Sequence, residues 1–304
     1  DHHFPLQCQH GLPLGVEEKL PDAQHVWPSK HELTGHTPDD DDPEAPTLQP
    51  NYPSADEHAD AIEQTFMEEA HLGMVTGPHS PDEAAIICGC RPDQLCHGAL
   101  AGKPEGRYLE KLRTIHDATV NSVNLWIQAH QLYKTTAPTL ADLTTALLLC
   151  TTEVTMLKLD VTKAHRRIKI LQKDWKYMTA QIKGHIWVNK VGTYGVASAQ
   201  YHWGRFAALI LRLLYYTFPD ILWAFVYVDD YVIILPTYLA DTLTMQIITF
   251  LHAIGLPISW KKVTLSDPNT WLGYLVTTRP LRACLSPDKQ TIISNTLLAL
   301  QSEV

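Results

Sequence analysis

The second half of the chain contains apolar runs of strand length. The run within 151–170 has good β-propensity and predicts a strand that leads through Asp160 into a polar, basic stretch. Bulky and polar residues alternate in Tyr177–Ile182 and again in His185–Val191. Because Lys183-Gly184 separates these two segments, they predict a hairpin with a two-residue turn.

Two further segments have apolar residues at helical spacing. The first predicts a helix that opens at Ser198 and ends before Pro219. The second predicts a helix capped by Asp241 and stopped by Gly255 and Pro257.

Two consecutive aspartates stand between two apolar strands. Leu222–Val228 and Tyr231–Leu235 flank Asp229-Asp230, which predicts a second hairpin with both carboxylates in its turn. An ordinary surface turn is the simple interpretation. A two-residue hairpin turn favours Asn-Gly or Asp-Gly, however, and adjacent carboxylates repel each other. The pair is therefore a candidate functional site.

Asp160 supplies a third carboxylate at the end of its own strand. If that strand is a neighbour of the second hairpin, Asp160 and Asp229 meet at one edge of a sheet. Carboxylate oxygens suit hard cations such as Mg²⁺, and phosphate oxygens complete their coordination. The pattern favours two-metal phosphoryl transfer over a purely structural turn.

Composition separates an acidic region from a basic one. Residues 1–100 contain 19 acidic and 3 basic residues, and residues 101–304 contain 14 and 21. Because no helical or strand period is sustained in the first 55 residues, which include Asp39–Asp42, the region 1–100 is predicted to be acidic and loosely ordered. The uncharged stretch Thr242–Trp260 contains too many polar residues for a membrane span, so none is predicted.

The six cysteines predict a reduced, intracellular protein, with nucleus and cytoplasm both open. Cys88, Cys90, Cys96 and His97 offer three sulfurs and one imidazole for zinc. Their spacing matches no common zinc pattern, so ordinary reduced thiols are the alternative. The histidines near Cys8 also lack the spacing of a zinc finger.

Six segments, in this order, resemble the motifs of reverse transcriptases. They are a fingers strand (Lys111–Asp117), the first catalytic motif (Leu157–Ile168), a glycine-containing loop and helix (Val191–Gly204), the YxDD box (Tyr227–Asp230), a lysine-bearing loop (Gly255–Lys262) and the primer grip (Trp271–Tyr274). The resemblance covers about residues 103–280. Tyr194-Gly195 is closer in style to tyrosine-recombinase-class retrotransposons than to retroviruses.

The resemblance implies an α+β fold of the right-hand polymerase type, in which helices pack on an antiparallel sheet. It places the fingers at 101–150 and the palm at 151–280, with a fingers insertion near 171–191. The remaining residues, 281–304, begin a thumb or connection, so that the thumb is largely missing.

The resemblance also assigns roles to the carboxylates. Asp160 and Asp229, with Val161, would hold two Mg²⁺ ions, or Mn²⁺ in their place, that activate the primer 3′-hydroxyl. Asp230 would be a supporting catalytic carboxylate, with a turn aspartate as the alternative. Lys261 or Lys262 would protonate the leaving pyrophosphate.

Nucleotide and primer residues follow from the same resemblance. Lys111 and Arg113 would contact the triphosphate, and Tyr194 and Gly195 would position nucleotide or template. His165 stands where the family usually has Phe or Tyr beneath the sugar, which puts exclusion of ribonucleotides in question. The primer grip would consist of Trp271, Leu272, Gly273 and Tyr274.

The resemblance therefore implies an RNA-directed DNA polymerase fragment that uses a primed RNA or DNA template and deoxynucleoside triphosphates. The range Lys158–Lys183 contains eight basic residues against Asp160 and Asp174. This run would neutralise template phosphates, with a solvated charged face as the alternative. A catalytically silent, palm-like nucleic-acid-binding remnant is the rival function.

Overall fold

The computed structural model describes residues 4–21, 27–34, 43–105, 111–131 and 133–302. The chain forms two compact units. The first comprises Asp1–Thr136 and Lys163–Arg205, and the second Ala137–Thr162 and Phe206–Val304. The helices and antiparallel sheets confirm the predicted α+β class.

The helices of the described ranges are α1 (Phe4–His10), α2 (Lys30–Thr34), α3 (Pro53–Glu57), α4 (Ala59–His71), α5 (Pro81–Cys88), α6 (Val123–His130), α7 (Leu140–Leu149), α8 (Ala197–Thr217), α9 (Ala240–Ala253) and α10 (Pro287–Ser302). The strands are β1 (Val75–His79), β2 (Ala99–Glu105), β3 (Lys111–Asp117), β4 (Val154–Asp160), β5 (Thr179–Ile182), β6 (His185–Asn189), β7 (Trp223–Tyr227), β8 (Asp230–Pro236), β9 (Thr264–Ser266), β10 (Asn269–Trp271), β11 (Tyr274–Thr278) and β12 (Leu281–Leu285).

The first unit contains a three-stranded sheet in the order β1-β6-β5 and a separate hairpin of β2 and β3. The turn between β5 and β6 is Lys183-Gly184, as predicted, and its residues have φ of 49° and 80°. Positive φ at both positions is typical of a type I′ turn. Trp187 of β6 is fully buried, and its ring lies 5.6 Å from that of Phe66 on α4.

The prediction of a loosely ordered region 1–100 is wrong for much of its length. Leu12 and Leu14 are fully buried, and the range 53–105 contributes helices and strands to the first unit. The backbone N–H of Leu14 donates to the carboxylate of Asp174 at 2.7 Å. Periodicity cannot detect the segment that contains Leu12 and Leu14, because this segment is irregular and its partners are distant in sequence.

Some residues considered in the sequence analysis, including two of the histidines near Cys8, lie outside the described residues. They are His2, His3, Asp39–Asp42 and the side chain of Lys111.

The second unit contains a four-stranded antiparallel sheet in the order β7-β8-β4-β9 and a three-stranded sheet in the order β10-β11-β12. Leu143 of α7 joins Met156, Ile234 and Trp271 in one buried apolar cluster. Helix α7 belongs to this second unit, and Lys163–Arg205 belongs to the first.

Both helices begin before their predicted starts, α8 by one residue and α9 by two. Helix α8 begins at Ala197, whose N–H donates to Oδ1 of Asn124 at 2.8 Å. This remote side chain caps the helix. Helix α9 begins at Ala240, so Asp241 lies in the first turn, where a carboxylate favours the helix dipole. Within the described ranges, no helix has the length and apolar composition needed to cross a membrane.

Candidate active site

The turn of the β7–β8 hairpin differs from the prediction by one residue. Tyr227 and Asp230 are paired across the strands, so the turn is Val228-Asp229 and Asp230 begins β8. Val228 has φ of 56°. This left-handed conformation is a genuine outlier for a β-branched residue, and strain of this kind costs on the order of 1–3 kcal/mol. Sequence reasoning missed Val228, because the motif gives no indication of its backbone conformation.

The sheet register brings three carboxylates to one end of β4 and β8. Asp160 is the antiparallel partner of Asp230, and the N–H of Val161 donates to the carbonyl of Asp229 at 3.0 Å. Asp160 is only 4% exposed, whereas Asp229 and Asp230 are partly exposed. The side chain of Val161 is buried, so its main-chain oxygen is the atom to consider for a metal. The two strands thus place Asp160 beside the hairpin turn.

Two lysines lie against these carboxylates. Nζ of Lys262 is 2.6 Å from Oδ2 of Asp160, and Nζ of Lys158 is 3.7 Å from Oδ2 of Asp230. Burial raises the pKa of Asp230, as do the charges of Asp160 and Asp229, against the opposing effect of Lys158. Burial alone would lower the pKa of Lys262, but the hydrogen bond to Asp160 and the charges of all three carboxylates raise it. One ammonium therefore interacts with the whole acidic group.

Backbone pairing fixes the position of Lys262. The N–H of Ser259 donates to the carbonyl of Asp160 at 2.8 Å, and the N–H of Thr162 donates to the carbonyl of Pro257 at 3.0 Å. A short 3₁₀ turn, Trp260–Lys262, follows this pairing. Of the two lysines that the sequence left open, the structure places Lys262 against Asp160, although the side chains of both Lys261 and Lys262 are exposed.

The carboxylate oxygens of this site suit a hard divalent cation, but the side chains are not arranged around a common metal position. In the described part of the chain, no three His, Cys, Asp or Glu side chains are grouped to hold a metal ion. Asp160 already has the Lys262 ammonium as its counter-ion. A metal would therefore have to displace this ammonium from Asp160.

The geometry does not support the zinc interpretation of the cysteine cluster. Cys88, Cys90, Cys96 and His97 are all described, yet they form no metal-holding group. Burial raises the pKa of Cys88 to about 12 and of Cys96 to about 11, which keeps both thiols protonated. Nδ1 of His97 lies 2.5 Å from the hydroxyl of Thr179. Cys88, Cys96 and His97 are thus buried, and Cys90 is partly buried.

The predicted nucleotide residues lie in the first unit. Arg113 is exposed on β3, opposite Lys103 of β2. Nε2 of His165 is 2.8 Å from Oε1 of Gln200, and its ring is edge-on to that of Tyr194, with centroids 5.3 Å apart. His165 and Tyr194 are thus brought together, and Gln200 is a partner that sequence reasoning missed.

Gly195 has a specific steric role in the loop before α8. Its φ is 99°, and a Cβ there would overlap the carbonyl oxygen of His116. Nδ2 of Asn124 donates to the Gly195 carbonyl at 2.7 Å, while Oδ1 of Asn124 caps α8. Asn124 therefore ties this loop to the helix.

The predicted primer-grip residues form the β10–β11 hairpin. Leu272-Gly273 is its turn, with φ of 50° and 80°. Trp271 is 1% exposed and packs near Phe225, with ring centroids 6.1 Å apart. Because the Trp271 side chain is enclosed in the core, it supports the hairpin and offers no surface to a primer. Leu272, Gly273 and Tyr274 are partly exposed.

No family model and no curated protein matches this sequence. Its fold is similar to solved structures of the foamy viral protease-reverse transcriptase. With the complex that contains an RNA/DNA hybrid, the TM-score is 0.60 at 17% identity, over 83% of this chain and 30% of the viral chain. With the dRH form in complex with double-stranded DNA, the TM-score is 0.61 at 17% identity, over 86% and 40%. The chain spans less than half the length of either, and it has a reverse-transcriptase-like fold.

Proposed function

We propose that this chain carries the catalytic site of an RNA-directed DNA polymerase, which adds deoxynucleotides to a primer 3′-hydroxyl on an RNA or DNA template. The observation that carries the proposal is the register of Asp160 with Asp230 beside the strained turn at Asp229. The foamy viral neighbours are complexes with nucleic acid, which supports a nucleic-acid substrate. In this proposal, the second unit contains the palm and α10 begins the thumb.

Asp160 and Asp229, with the main-chain oxygen of Val161, would hold two Mg²⁺ ions, or Mn²⁺ in their place. Bound there, the metal ions supply Lewis-acid activation of the attacking hydroxyl and neutralise developing phosphate charge. Asp230 remains close to Lys158 and supports the local charge balance. Lys262, once released from Asp160, would give its proton to the leaving pyrophosphate.

The first unit would supply the fingers and the nucleotide contacts. The exposed guanidinium of Arg113 suits phosphate oxygens, as does the ammonium of Lys111. His165, held by Gln200 and adjacent to Tyr194, would lie beneath the sugar. Because imidazole is smaller than the Phe or Tyr side chain usual at this position, incorporation of ribonucleotides is a direct measure of its role.

Primer extension on a homopolymer RNA template with Mg²⁺ tests the proposed function. We expect Asp160→Asn to lower incorporation about a hundredfold or more, on the order of 3 kcal/mol of transition-state stabilisation. Asp241→Asn, on the exposed surface of α9, is the matched control and should leave incorporation unchanged. Incorporation by Asp160→Asn at the wild-type rate would refute the mechanism.

A catalytically silent nucleic-acid-binding protein is the second candidate. The ion pair of Lys262 with Asp160 favours it, because this pair occupies a carboxylate that catalysis would need. The same experiment separates the two functions. Binding of primer and template without incorporation by the wild-type protein would support the silent protein.

A further inference from the structure

The first unit contains a basic cavity that includes none of the three carboxylates discussed above. Its volume is about 420 Å³, within the usual range for small-ligand pockets. Its charged and aromatic lining residues are His10, Arg166, Arg167, Lys169, Trp175 and Lys190. None of the described lining residues is acidic. We call this feature the basic cavity.

Backbone hydrogen bonds hold the cations of the basic cavity in place. Lys169 pairs with Val191 in an antiparallel bridge, and the N–H of Ile170 donates to the carbonyl of Lys190 at 3.0 Å. The N–H of Lys190 donates to the carbonyl of Met74 at 3.0 Å. The two lysines therefore project from paired segments and not from free loops.

Arg166 is a buried element of the cavity wall. It is 3% exposed, forms an ion pair with Glu69 and donates to Oδ1 of Asn189 at 2.8 Å. Its Nε is a buried donor that has no hydrogen-bond partner among the described residues. Glu69 is shared with Lys163, so one carboxylate balances two cations here. The neighbouring Arg167 is partly buried, and desolvation lowers its pKa.

Trp175 adds an aromatic surface beside these cations. Its indole N–H donates to the carbonyl of Ile170 at 2.8 Å, which fixes the ring, and the ammonium of Lys190 lies 5.8 Å from the ring centroid. Cations next to a fixed aromatic ring match a ligand that has a phosphate and a planar base.

We propose that the basic cavity binds a nucleoside phosphate, with Lys169, Lys190 and Arg167 around the phosphate and Trp175 against the base. The ligand is either a free nucleotide or one nucleotide of a single strand, since both present the same chemistry. The site shares no residue with the carboxylate group, although Arg167 and Lys169 belong to the basic run Lys158–Lys183.

Binding measurements with two probes test the proposal. AMP is titrated by calorimetry, and a fluorescein-labelled single-stranded oligothymidylate is followed by anisotropy. We expect Lys169→Glu to weaken binding about tenfold, since a phosphate loses one cation and gains one anion nearby. Lys134→Glu makes the same charge change on an exposed side chain of the first unit, outside the cavity, and should have little effect.

The two probes identify the source of the ligand. If Lys169→Glu weakens the binding of both AMP and oligothymidylate, the cavity binds a free nucleotide and also accepts one nucleotide of a strand. If it weakens the binding of oligothymidylate alone, the ligand is a strand. In the latter case, the dependence of log K on log salt should flatten by about 0.7 for the lost contact. Equal effects of Lys169→Glu and Lys134→Glu, or no effect of either, would overturn the proposal.

Two further variants guard against misfolding and test the aromatic contact. Lys190→Gln should also weaken binding, and thermal melting verifies that both variants are folded. Trp175→Leu should weaken AMP binding more than binding of inorganic phosphate, because phosphate has no base to stack. AMP binding is measured without primer, template or Mg²⁺, so failure of the polymerase mechanism and failure of this site are separate results.

Discussion

At the residue scale, the backbone conformation of Val228 and the contact of Lys262 are properties that the sequence motifs do not predict. Among the described non-glycine residues with positive φ, Val228 is the β-branched one, and it directly precedes Asp229. Strained backbone of this kind is typical of functional sites, where surrounding structure enforces it. The apolar strands on either side made the hairpin predictable, but neither the strain nor the Lys262 contact has a signal in the local sequence.

The strain at Val228 can be measured. Asn tolerates left-handed backbone better than Val, so Val228→Asn should raise the free energy of unfolding by about 1 kcal/mol, as measured by urea denaturation. Val226→Asn, within β7, is the control and should be destabilising, because Asn is disfavoured in strands. If both variants destabilise equally, Val228 is not strained in solution.

At the scale of elements, the sequence predicted the strands and turns that local patterns of apolar residues and turn residues indicate. Apolar runs identified β4, β7 and β8, and the turn residues identified the β5–β6 hairpin. The cap of α8 by Asn124 and the ion pair of Arg166 with Glu69 could not be predicted. These contacts join residues far apart in sequence, and no period or turn signal connects them.

The loop before α8 provides a prediction at this scale. Gly195→Ala places a methyl group against the carbonyl of His116 and should destabilise the protein by more than about 2 kcal/mol. Gly184→Ala is a matched control, because Gly184 also has positive φ but has open space where a Cβ would lie. It should cost about 1 kcal/mol. Equal losses in chemical denaturation would show that the close approach at Gly195 is relieved.

At the scale of the whole molecule, several histidines are buried without charge. Burial lowers the pKa of His202 to about 4 and of His97 to about 4, below the ordinary value. The unfolded chain therefore binds more protons than the folded one between pH 4 and about 6.5. The protein should lose stability as the pH falls through this window. Composition alone gave the number of histidines but not their burial.

His202 is the residue with which to test this pH dependence. Between pH 7 and 5, its protonation in the unfolded chain should remove roughly 2 kcal/mol of stability. His202→Gln keeps a donor for the carbonyl of Pro13 and should show a smaller loss over the same interval in urea denaturation. His185→Gln, at an exposed position of β6, should lose as much stability as the wild-type protein. An unchanged pH dependence in His202→Gln would contradict this assignment.

Because the Lys262 ammonium lies against Asp160, folding of the acidic site does not require a bound metal. Because Asp160 already has an ammonium as its counter-ion, the site can assemble before any divalent ion binds, unlike a zinc finger, which folds only when its metal binds. Chelating agents should then abolish the proposed nucleotide addition without changing the melting temperature of the protein.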